Sequence, residues 1–236
     1  MTVNRRGEGD GARQLERLRR EIDGLDNQLL DLIERRLEAS SAIAALKQGE
    51  GERWLRLRPR REEQIVARLT ARARLAPPSL IGHVWRDLLS HSLQAQAPTL
   101  FVLNASGDRH RLLERMRERY GWAAAVRWVE TPDEVAEIVR HDEAVGMIEI
   151  VPSSNWWTRL KDRGEVRIFD GIRGADGKFA AVLLGRVAED DLSEQQSFRI
   201  LDAQSMSIIA QRGEDIEQIA AFEDLRLCVM RPGTPN

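Results

Sequence analysis

The chain of 236 residues has one cysteine, one tyrosine and four histidines, so it is poor in the side chains on which redox, radical and imidazole chemistry depend. Cys228 has no partner for an internal disulfide, and no His, Cys or carboxylate spacing reads as a metal centre. No apolar run reaches the length of a membrane span. Residues 1–13 are rich in glycine, arginine and acid and lack an apolar stretch, so they read as a disordered tail and not as a signal peptide. The expected compartment is therefore the cytoplasm.

A hydrophobic fraction of 42% is enough for a real core, and the length allows one large domain or two modest ones. The net charge of −2 conceals a split: 18 basic and 14 acidic residues precede residue 99, and 18 and 24 follow. The basic front half suits an anionic ligand. Nucleic acid is disfavoured, because the cations are interleaved with acids and few aromatics accompany them.

From Leu15 the apolar residues recur at 15, 18, 22, 25, 29, 32, 39, 43 and 46, a helical seam. One helix over residues 15–48 would run for about 50 Å, too far for two short helices to cover, so a second copy of the chain is expected against it. Pro59 suits the first turn of a second helix with the stripe Ile65, Val66, Leu69 and Ala73. Pro77-Pro78 leads into a third, with Ile81, Val84, Trp85, Leu88, Leu89 and Leu93.

Beyond Pro98 the texture changes. Short apolar runs at 100–103, 126–129, 145–151, 166–169, 179–187 and 225–230 read as strands, with a hairpin around 174–177. Thr131-Pro132-Asp133-Glu134 reads as a capping box opening a helix. The fold class expected is thus an all-α three-helix unit over residues 14–98 followed by an α/β domain over 99–236.

The chemistry lies in polar residues at places where the stripes call for apolar ones. Arg36 stands in the seam of the first helix, where a buried cation is costly unless something anionic meets it. Lys47, eleven residues on, returns to nearly the same face. Glu62 lies in line with the second stripe beside Arg61, and Ser92 with Gln96 prolongs the third. Each has a bland explanation: a lone seam arginine is more often a register device, and Ser92 with Gln96 an interhelical hydrogen bond. Their joint occurrence on three successive helices gives the interior an excess of cations and donors that a small polyanion would relieve.

Leu18-Arg19-Arg20-Glu21-Ile22-Asp23-Gly24-Leu25-Asp26, then Glu34-Arg35-Arg36, Lys47, Arg61-Glu62 and Ser92 with Gln96, resembles the all-helical class of chorismate mutase over about a third of the chain. The resemblance implies rearrangement of chorismate to prephenate, in aromatic amino acid biosynthesis, with no cofactor. It implies an intertwined homodimer whose pockets are lined by Arg36, Lys47, Arg61, Glu62, Ser92 and Gln96 and completed by Arg19 of the other copy. Lys47, Gln96 and Arg36 would be catalytic and the others would bind substrate. Arg58 departs from the pattern, since some relatives carry an acid there that helps hold the substrate hydroxyl. Glu62 must then hold it largely alone, or the backbone serves.

Glu134-Val135, followed by residues 146–154 with Ile148-Glu149-Ile150-Val151-Pro152, faintly resembles the central strand and loop of prephenate dehydratase, whose Thr-Arg-Phe signature is replaced by Lys178-Phe179-Ala180-Ala181-Val182. The rear half is therefore expected to be a dehydratase-like remnant that supports the dimer or binds a regulatory ligand. Trp156-Trp157 is expected in core or interface, and Cys228 as a packed thiol. The competing readings are a bifunctional mutase and dehydratase, a noncatalytic helical scaffold, and a lyase acting on isochorismate in a similar pocket.

Overall fold

The computed structural model describes residues 6–47, 55–151, 153–162 and 165–231. Helix α1 spans Arg6–Lys47, α2 Pro59–Arg72 and α3 Pro78–Gln96. Two boundaries are set by proline at the first helical turn, as the sequence predicts. The start of α1 differs: the helix already runs from Arg6, through the segment expected to be disordered. Its glycines disfavour a helix, but extending an existing long helix avoids the cost of a nucleus. No described helix is long and apolar enough to cross a membrane.

Only the C-terminal half of α1 is covered within one chain. Ile33, Arg36, Leu37, Ser40 and Ala44 form its shielded face, and α1 packs chiefly on α3. Leu15, Leu18, Ile22, Leu25, Leu29 and Leu32 form a stripe left 44 to 59% exposed.

The α/β unit follows. Strands β1 (Leu100–Asn104), β2 (Ala125–Trp128) and β3 (Ala144–Glu149) are parallel, connected by α4 (Arg109–Tyr120) and α5 (Pro132–His141). Strand β5 (Phe179–Gly185) pairs antiparallel with β3, and β4 (Arg167–Arg173) antiparallel with β5, giving the order β2-β1-β3-β5-β4. The hairpin between them falls at the expected place, with Gly177 at φ 78. Thr131 caps the expected helix, its Oγ1 accepting from Glu134 N at 3.2 Å, while Glu134 Oε2 accepts from Glu130 N at 3.0 Å, one residue before the reciprocal bond of a capping box. Behind lies a second antiparallel sheet, β6-β8-β7, of Ser197–Asp202, Leu225–Arg231 and Asp215–Phe222, with α6 (Ala203–Gln211) between β6 and β7.

Alternate side chains of the first sheet fill two cores. Phe101, Leu103 and Met147 pack on the α4 side, and Val102, Ile148 and Val182 on the side of α5 and the second sheet. Trp156 and Trp157, in a 3-10 turn over Trp156–Asp162, are buried in the latter core. Cys228 is buried, which pushes its thiol up to about 11.

The helical and α/β units share the first of these cores. Leu55 and Leu57, just before α2, are 5% and 2% exposed and pack with Leu93, Phe101 and Leu183. Leu55 N donates to Arg186 O at 2.7 Å, joining the lead-in of α2 to the α/β backbone. At Gly121 the end of α4 approaches α3 so closely that a Cβ would lie 2.7 Å from that of Ser90.

Candidate functional site

The inner faces of α1 and α3 bring two of the expected residues together. Arg36 Nη1 donates to Ser92 Oγ and, at 3.2 Å, to Leu88 O; Ser92 Oγ in turn donates to Leu88 O at 2.6 Å. Ser92 is 4% exposed and Arg36 is half-buried. Burial lowers the arginine's pKa from its ordinary value, the direction expected when a cation is desolvated. Among the described residues, its hydrogen-bond partners are a hydroxyl and a carbonyl, both neutral. A guanidinium offers five donors in a planar fork, so this one keeps capacity for a carboxylate.

Gln96 closes α3 and is partly covered; Arg56 Nη1 donates to its carbonyl at 3.3 Å. Arg19 is exposed on α1 among the uncovered apolar stripe. Lys47 ends α1 as described, but its side chain lies outside the described residues. Arg61 is exposed on the first turn of α2.

Glu62 goes elsewhere. It reaches the seam between α2, α3 and the α/β unit, a narrow space lined also by Arg86, Leu93, Phe101, Arg119 and Tyr120. Burial pushes its carboxyl up to about 7; Arg119 and Arg86 draw it down, while Asp170 and Glu63 push it further up. The centre of this cluster is Asp170, 2% exposed in the middle of β4. It accepts from Arg119 Nη2 at 3.0 Å, from Gln196 Nε2 at 2.8 Å and from the Tyr120 hydroxyl. Among the described residues, no hydrogen bond or ion pair joins Glu62 or Arg61 to Arg36 or Ser92.

Two buried charged centres therefore flank α3, one on the face of Leu88 and Ser92, the other on that of Arg86 and Leu93. The first holds a half-buried cation with no anion paired to it among the described residues. Residues 18–97 match the family model of chorismate mutase type II. This mutase-type segment holds Arg19, Arg36, Lys47, Arg61, Glu62, Ser92 and Gln96, and it ends one residue beyond α3. The match stops short of the α/β unit. No curated protein and no solved structure matches the chain significantly.

The pattern of apolar stripes found Arg36 and Ser92 but missed Asp170 and Arg119. A signal existed for the former: Asp170 interrupts the apolar run Ile168-Phe169 and Ile172, where a carboxylate demands partners. Arg119 sits in an arginine-rich helix and carried no comparable mark. A larger cavity of about 490 Å³ lies between β4 and β6, walled by Phe169, Leu192, Phe198 and Leu227, with no lining residue from the mutase-type segment.

Proposed function

We propose that the chain is a chorismate mutase, rearranging chorismate to prephenate between α1 and α3 of a homodimer. The observation that carries this reading is Arg36, desolvated on the inner face of α1 and bonded only to neutral oxygens among the described residues. A doubly negative guest would supply the missing charge. The uncovered stripe from Leu15 to Leu32 supports a second copy, since six large apolar side chains half in water weaken a lone helix by roughly 1 kcal/mol or more each. That copy would bring its own Arg19 to the pocket.

The reaction breaks the ether C–O bond of the enolpyruvyl group as a C–C bond forms, in one concerted shift that neither gains nor loses a proton or an electron. Catalysis is then a matter of orientation and charge. Arg36 and the partner's Arg19 grip the two carboxylates in planar, bidentate fashion and select the folded conformer. Ser92 donates to a carboxylate and Arg61 adds positive potential near the enolpyruvyl group. Lys47 and Gln96 donate to the ether oxygen as it gains charge, contacts that strengthen towards the transition state. Glu62 is assigned instead to the cluster around Asp170, which leaves the ring hydroxyl to backbone groups.

No second activity is given to the α/β unit: the place of the dehydratase signature holds Phe179, Ala180 and Ala181, without a catalytic hydroxyl. The test is to incubate the purified chain with chorismate and to follow its loss, with phenylpyruvate and pyruvate assayed separately. Prephenate as sole product is expected. Phenylpyruvate would reveal dehydratase activity, pyruvate would signal a lyase, and no turnover would leave a scaffold.

A further inference from the structure

Helix α2 is held along its N-terminal turn by the α/β unit, and one residue escapes that grip. Leu55 is bonded to Arg186 and Leu57 is buried in the shared core. Arg58 pairs with Asp191 at 3.7 Å, and Arg60 with Glu194. Ser193 Oγ donates to Glu63 Oε2 at 2.9 Å. Glu62 enters the field of Arg119, which Asp170 anchors from β4. Of residues 58–63 Arg61 is the one exposed as a whole residue, while the paired side chains of Arg58 and Arg60 stay 41% exposed.

Most of these ties lie at the surface and are individually weak, since exposed ion pairs are worth roughly 0 to 1 kcal/mol. Asp170 is different. It is buried and holds three side chains from two other segments: Arg119 and Tyr120 of α4, and Gln196 of the stretch that also supplies Asp191, Ser193 and Glu194. It is the common anchor of Arg119, under Glu62, and of the segment that grips Arg58, Arg60 and Glu63.

We infer that Asp170 is a positioning residue for the mutase-type segment: acting through Arg119 and Gln196, it fixes the first turn of α2 and so aims Arg61. This rests on the mutase reading above. The α/β unit is then a template on which one wall of the mutase is laid out, in addition to any role of its own. Asp170 acts only through others and touches no substrate.

A double-mutant cycle in the full chain separates aiming from general damage. Arg61→Ala is expected to lower kcat/KM about 30-fold and Asp170→Asn about 10-fold. The double variant should fall no further than Arg61→Ala alone, because with the guanidinium gone there is nothing left to aim. Reductions that multiply to about 300-fold would overturn the inference, as would an Asp170→Asn protein as active as the parent. Should Asp170→Asn fail to fold, Gln196→Met removes one 2.8 Å bond to the same carboxylate and enters the same cycle, with about a 3-fold loss that vanishes in the Arg61→Ala background. Turnover in the parent with a multiplicative cycle rejects the positioning role alone. A parent without turnover rejects the mutase reading, and this inference with it.

Discussion

Arg36 and Asp170 are both charged groups held inside the protein, on opposite faces of α3, and they differ in how their charge is answered. Asp170 meets a guanidinium, an amide and a phenol from its own chain, so its partners are all in place before any ligand arrives. Arg36 meets only a hydroxyl and a carbonyl among the described residues. A buried ion with its counter-ion in place is architecture, whereas one lacking it is an invitation to a ligand. On that ground the first centre is read as a site and the second as the joint between the two units.

The contrast can be broken most severely at the end of α1. Lys47→Ala should abolish measurable mutase turnover, a loss of about 10³ or more, while helical circular dichroism stays almost intact. Retained turnover would remove Lys47 from the mechanism. At the other centre the large effect should fall on folding: Asp170→Ala strands Arg119 without its anion and should cost about 3 kcal/mol in urea unfolding. A variant as stable as the parent would show that the joint carries no weight.

Gln96→Glu sharpens the site. If Gln96 donates to the ether oxygen, only a protonated carboxyl can replace it, so an enzyme nearly flat in pH should become one active only in acid, with a loss of about 10² at neutral pH. An unchanged pH–rate profile would contradict the donor role.

The smallest effect belongs to Glu62. Its carboxyl is pushed up to about 7 from the ordinary glutamate range, chiefly by burial, so the neutral form is favoured in the folded state. Stability from this group is full below the unfolded value and is lost as pH rises through 7. Glu62→Gln should therefore stabilise the protein by about 1 kcal/mol at pH 8 and flatten the change in melting temperature between pH 6 and 8. A destabilised variant at pH 8 would mean that Arg119 and Arg86 outweigh burial.

The same contrast marks how far the sequence could be read. Arg36 and Ser92 were legible because each breaks a periodic apolar stripe, and helical periodicity is a local property. The strands at 100–103, 126–129 and 145–151, the hairpin near Gly177 and the cap at Thr131 were legible for the same reason. The fate of Glu62 was not, because its neighbours Arg119 and Asp170 come 57 and 108 residues later and only the packing of α4 and β4 brings them under α2. Strands β6 and β7 were also missed, their apolar residues being interspersed with Arg199 and Glu217 on a sheet with one open face. The lead-in to α2 carries a local mark of its burial, since Leu55 and Leu57 alternate with Arg56 and Arg58 like a buried strap.

The most direct test of the central claim is the rate at which the purified chain and its Arg36→Met variant consume chorismate, measured side by side. The parent should convert chorismate saturably to prephenate and the variant should turn over about 10³-fold more slowly with no loss of thermal stability, since methionine fills the space without a stranded charge. Equal rates, or a parent that leaves chorismate untouched, would contradict the mutase reading.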